Sequence, residues 1–109
     1  MGLLIYASNE AREIDDRTLA HLMVVIVAKL RRKECFLLNW PDTEGGTFSL
    51  WISPAIALEF RFTGSRPAEL DRQWLEALER SSTGVRGMLL LREEEAAGYL
   101  RAAGPSVAP

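Results

Sequence analysis

Residues 14–34 read IDDRTLAHLMVVIVAKLRRKE, and the fold turns on whether this stretch is helix or strand. Asp15 stands where an N-cap carboxylate accepts a backbone N–H of the first turn, and that placement puts Ile14 and Leu19 at the two ends of a hydrophobic staple. Asp16 in the first turn and Lys29, Arg31, Arg32 and Lys33 in the last turns carry the signs that the helix dipole favours. Against a helix stand the β-branched residues Val24, Val25, Ile26 and Val27, whose stiff side chains suit a strand. The agreement of cap and charges at both ends decides for one long helix from Ile14 to Glu34.

This helix has more apolar surface than one core contact needs. Leu19, Leu22, Met23, Ile26 and Leu30 follow the spacing of a single core-facing stripe, and His21, Val24, Val25 and Ala28 draw a second. A helix apolar nearly all round is clasped on two sides by its own domain or shared with another chain. The second stripe is therefore the candidate association surface, with a sheet face bearing Leu37 and Trp51 as the alternative. A homodimer is the expected assembly, with a different protein partner as the other option.

Outward from the helix, Cys35–Trp40 and Thr47–Ser53 read as strands joined by the turn Pro41–Gly46, and Ile56–Thr63 reads as a third, giving an antiparallel meander. Alternation places Phe36, Leu38, Trp40, Phe48, Leu50, Ile52, Ile56, Leu58, Phe60 and Phe62 on a core side covered by the helix. The opposite side carries Leu37, Trp51 and Arg61. Before the helix, Leu3–Tyr6 reads as a first strand and Ser8–Glu13 as a polar connection. After the meander, Asp71 caps a second helix with Leu70 and Leu75 as its staple, Val85–Leu91 reads as an interior strand, and Glu93–Glu95 open a short last helix holding Tyr99 and Leu100. The expectation is an α+β fold of order β-α-β-β-β-α-β-α, one domain over residues 1–103, and a mobile tail over 104–109.

With 109 residues the chain is long enough for a core without metal or disulfide staples. Its longest apolar run, Leu22 to Ala28, is far short of the roughly 20 residues of a membrane span. The net charge of −2 supplies no global cationic field for nucleic acid or an anionic membrane. Cys35, the one cysteine, has no intrachain partner, and no basic leader or cleavage site opens the sequence, so a cytoplasmic location is expected.

Catalysis finds little to work with. His21 and Cys35 are the soft metal ligands and match no ligand spacing, and a Cys35 nucleophile would depend on that same histidine as base. Asp15 with Asp16, and Glu93 to Glu95, sit where helix N-termini recruit acid. The glycine-rich phosphate loops are absent. The expectation is a non-catalytic binding domain with no cofactor and no metal. Gly64-Ser65-Arg66-Pro67 leads towards a helix N-terminus and brings Arg66 near Arg61, a candidate anion site. The rival reading is a nucleic-acid accessory protein, using Trp51 as a stacking platform with Arg61 beside it and the basic cluster of Lys29, Arg31, Arg32 and Lys33.

The run DDRTLAHLMVVIVAKLRRKECFLLNW, followed by SLWISPAIALEFRFTGSRPAELDRQWLEAL, resembles a family of short, uncharacterised actinobacterial proteins over roughly Met1 to Leu91. Only two of the thirteen basic residues are lysines, which fits the high-GC coding that such a source implies. Some members of that family bear the name ATP-dependent DNA ligase. Ligase adenylation uses the lysine of a Lys-x-Asp-Gly motif, whereas here Lys29 opens Lys-Leu-Arg-Arg and Lys33 opens Lys-Glu-Cys-Phe. The resemblance therefore implies no catalytic residue at any position of this chain.

Overall fold

The computed structural model describes residues 1–41, 44–64 and 66–104. Among these the chain is α+β, with two three-stranded sheets and three α-helices. Gly2–Tyr6 (β1) turns through Ala7 and Ser8, at φ of 54° and 69°, into Glu10–Ile14 (β2), which pairs with it antiparallel. Helix α1 (Asp16–Arg31) follows, then β3 (Phe36–Pro41), β4 (Thr47–Ile52), β5 (Leu58–Arg61), α2 (Arg72–Ser82), β6 (Met88–Leu89), a 3-10 turn at Glu93–Glu95 and α3 (Ala96–Ala103).

Helix α1 starts as its sequence dictates. Asp15 accepts the backbone N–H of Thr18 at 3.0 Å and its hydroxyl at 2.7 Å, and both staple residues, Ile14 and Leu19, are buried. It ends sooner than the 14–34 stretch implies. Lys33 takes the left-handed conformation (φ 60°), with Lys33 N–H donating to the Leu30 carbonyl and Glu34 N–H to the Lys29 carbonyl, a Schellman closure without its usual glycine. The basic residues in this last turn gave no sign of that stop.

The sheet topology departs from a single meander. β3 and β4 form the expected hairpin, but the next strand, β5, leaves it and pairs antiparallel with β1, so the orders are β2-β1-β5 and β4-β3-β6. The polar segment after β1 is itself a strand. β2 is an edge with one fully inward apolar residue, Ile14, and so lacks the alternation that marks a half-buried strand. The expected interior strand at Val85–Leu91 shrinks to β6, an edge strand parallel to β3, and Val85 is fully exposed. Of the expected tail, residues 105–109 lie outside the described residues, as do Asp42 and Thr43 of the β3–β4 turn and Ser65.

The facing of side chains follows the alternation nonetheless. Phe36, Leu38, Trp40, Leu50 and Ile52 are buried, with Phe48, Leu58 and Phe60 packed against them from half-buried positions, but Phe62, expected on the same side, lies past the end of β5 and is exposed. The helix over β3 is α2 rather than α1: α2 packs on β3, β6 and α3, and α1 packs on α2 and β1. The two sheets are joined where Tyr6 Oη donates to the Trp51 carbonyl at 2.7 Å and the Arg12 guanidinium lies 4.3 Å from the Phe48 ring centre.

Two backbone positions set opposite expectations. Gly87 sits at φ 86°, and a Cβ there would come within 2.5 Å of the Leu37 carbonyl oxygen, so Gly87→Ala should cost more than about 1 kcal/mol. Lys33→Gly relieves a left-handed non-glycine residue and should stabilise by about 1 kcal/mol. Urea unfolding checks both, with Gly46→Ala, whose Cβ would meet nothing within 4 Å, as the neutral control.

Candidate functional site

The candidate association surface on α1 divides in two. His21 and Val25 are buried within the chain's own core, Ala28 is half-buried, and Val24 is 37 % exposed. The expectation of one outward stripe through all four residues is thus corrected: α2, absent from that reasoning as a packing partner, covers half of it. The His21 ring stacks on Trp74 at 4.1 Å between centroids. Its Nε2 accepts the Asp71 backbone N–H at 2.9 Å, which requires the proton on Nδ1, and Nδ1 lies 2.7 Å from the Arg17 carbonyl it donates to. Both ring nitrogens are spent on backbone, and the imidazole is a joint between α1 and the start of α2.

What α1 leaves uncovered is one wall of a groove of about 380 Å³. Ala20, Met23 and Val24 form that wall, and Phe62, Pro67, Ala68 and Leu70 form the other, with Asp16 and Arg66 at the rim. Phe62 (37 % exposed) and Leu70 (50 %) are large apolar side chains open to solvent. Leu70 was expected to close a staple with Leu75; it faces outward instead.

Asp16 builds the upper end of this groove. Its carboxylate accepts the Gly64 N–H at 2.9 Å, the Thr63 N–H at 3.2 Å and the Thr63 hydroxyl at 3.1 Å, pinning the chain after β5 to the first turn of α1. The Gly64 N–H chiefly, with those of Thr63, holds the Asp16 carboxyl below the ordinary aspartate value. Of the donors that the 64–67 loop offered to an external anion, the Gly64 N–H is thus engaged by the protein's own carboxylate. Arg66 is exposed nearby, and Arg61 pairs with Glu59 on its own strand.

The elements of the nucleic-acid reading are separated. Trp51 (49 % exposed) lies on β4 and Arg61 on β5, which belong to different sheets, so Arg61 does not flank Trp51 across a strand pair. Arg32 is tied to Glu34 at 2.8 Å and Glu79 at 3.1 Å, and Arg31 is exposed. Glu34, held by Arg32 and then by the buried Lys29, has its carboxyl pushed down to about 2. Trp51 instead borders a groove of about 420 Å³ with Leu37, Cys35, Val85 and the Lys29–Glu34 pair.

Beside Trp74, Arg17 grips Glu93 with two bonds of 3.1 and 2.7 Å and donates to the Glu69 carbonyl at 2.6 Å. That grip lowers the Glu93 carboxyl and raises the Arg17 guanidinium from their ordinary values. Sequence reasoning missed this pair, which lies 76 residues apart in the chain. Among the described residues no cluster of three or more His, Cys, Asp or Glu has metal-binding geometry, and no helix is long and apolar enough to cross a membrane.

Residues 1–93 match the family described as a domain of unknown function (DUF7882), and the chain belongs to it. Neither a curated protein nor a solved structure matches the chain.

Because the Asp16 carboxyl is lowered in the folded state, its bonds contribute stability above the ordinary aspartate value and lose it as pH falls through the folded one. Asp16→Asn should therefore be less stable than the native chain at pH 7, and the gap should close below pH 3.8. Thermal melts across pH measure it.

Proposed function

We propose that this member of the DUF7882 family is a non-catalytic binding domain that associates with a second copy of itself through the apolar groove between α1 and the β5–α2 connection. The observation that carries the reading is the exposure of Val24, Phe62 and Leu70 around one cleft that the described residues do not fill. Burying a valine or leucine contributes about 1.5–3 kcal/mol, and a two-fold axis would use each such contact twice.

A non-catalytic role is supported by how the titratable groups are used. Asp16 holds backbone, His21 has both nitrogens on backbone, and Arg17, Arg32 and Arg61 are paired with glutamates, so none of these is aimed at a cleft with an idle partner. The free, exposed Cys35 thiol supports placing the protein in a reducing cytoplasm. A nucleic-acid role has less support, since the paired arginines offer little positive charge to a phosphate backbone.

Sedimentation velocity at about 100 µM should show a dimer that Val24→Glu or Leu70→Glu breaks and Trp51→Ala leaves intact. A clean monomer would overturn the association. In a low-salt titration with single- and double-stranded DNA, where phosphate contacts bind most strongly, no binding is expected at micromolar protein.

A further inference from the structure

Among the described residues the sheet β2-β1-β5 ends on a strand whose outer side has no partner strand, and the four sheet edges differ in how they are protected. The β2 edge is lined by Glu10, Arg12 and Glu13, with Arg12 turned back over Phe48, a charged guard of the kind that blunts strand pairing. The β4 edge already gives its Trp51 carbonyl to Tyr6, and β6 is two residues long. β5 also carries charge, in Glu59 and Arg61, but among the described residues none of its side chains turns back over the edge and none of its outer backbone groups is engaged.

The direction of its backbone groups follows from one bond. Ala7 N–H donates to the Ala57 carbonyl at 2.9 Å, which makes 57, 59 and 61 the residues whose N–H and C=O point to β1. By alternation, Leu58 and Phe60 present theirs to the open edge, with Phe62 just past the end of β5.

The sequence of that edge is complementary to itself. Laid antiparallel against a second copy with Phe60 opposite Phe60, Leu58 faces Phe62, and Glu59 faces Arg61 twice over. On the core side the meeting residues are all apolar, and on the outer side both meeting pairs are of opposite charge. In this register Phe60 exchanges both backbone hydrogen bonds with its counterpart, as its outward N–H and C=O require. Phe62 is also a wall of the apolar groove, so the same approach brings Leu58 of the second copy to the groove's mouth.

We infer that two copies join β5 to β5 about a two-fold axis through Phe60, forming one six-stranded sheet of order β2-β1-β5-β5-β1-β2. This rests on the self-association proposed above and adds to its groove contact a strand pairing of stated register.

The test uses charge variants of the full chain. Glu59→Arg and Arg61→Glu each set like charges opposite one another at both pairs, and each alone should raise the dimer dissociation constant by about 10- to 100-fold. An equimolar mixture of the two should recover the native affinity, because the mixed dimer restores both opposite-charge pairs. Repair within a chain cannot explain that recovery, since each chain keeps its own like-charged 59 and 61.

A second measurement does not depend on those variants folding well. In a Cys35→Ser background, Glu59→Cys and Arg61→Cys would meet at a closely spaced, non-hydrogen-bonded pair with Cα atoms about 4.5 Å apart. Mild oxidation should cross-link the mixture and neither variant alone. A native dimer with neither recovery nor cross-linking would overturn the β5 register and leave the association standing; a native monomer at 100 µM would overturn both.

Discussion

The antiparallel pairing of β1 with β5 is the constraint on which the rest of the structure depends. It sets Leu3 opposite Arg61 and Ile5 opposite Glu59, taking β5 away from the hairpin that precedes it in the chain. The approach is close. A Cβ on Gly2 would stand 2.6 Å from the Arg61 carbonyl and 2.8 Å from both Asp16 and Leu19, so a residue without a side chain is needed where β1, β5 and α1 converge. Asp16 then ties Thr63 and Gly64 to the start of α1, and the chain that continues to α2 borders the groove rather than closing over it. The open β5 edge and the apolar groove are thus two consequences of one pairing.

A second joint holds α1 to α2. His21 stacks on Trp74 and accepts from Asp71, whose own carboxylate caps α2 through the N–H groups of Gln73 and Trp74. Trp74 Nε1 in turn donates to the Leu91 carbonyl at 2.8 Å, and the Arg17–Glu93 pair closes the flank. Buried polar groups cost stability unless they are satisfied, and each ring nitrogen here has its partner. That arrangement turns the side of α1 bearing His21 and Val25 inward.

Local signals carried the elements better than the pairings. Both helix starts were legible, because Asp15 and Asp71 are caps whose partners lie within three residues. The inward faces of β3, β4 and β5 were legible from strict alternation. The stop of α1 was not, since Lys33 takes a conformation its side chain does not advertise. Nor was β2, an edge strand rich in charge, or the transfer of β5, because hydrophobic alternation fixes which face is buried but not which sheet a strand joins. For the candidate site the sequence pointed to Val24 but placed Phe62 on the core side and Leu70 in a staple, whereas both are exposed along the path of the chain after β5. It placed Trp51 beside Arg61 only through the meander that does not form.

The central claim is that the outer backbone groups of β5 are paired with a second copy, and amide hydrogen exchange at single-residue resolution across protein concentration tests it most directly. Glu59 and Arg61, bonded to β1 within one chain, should be protected at every concentration. The Phe60 amide, turned to the open edge, should gain comparable protection near 100 µM and lose it on dilution. Rapid exchange of Phe60 at all concentrations, beside protected Glu59 and Arg61, would contradict the account.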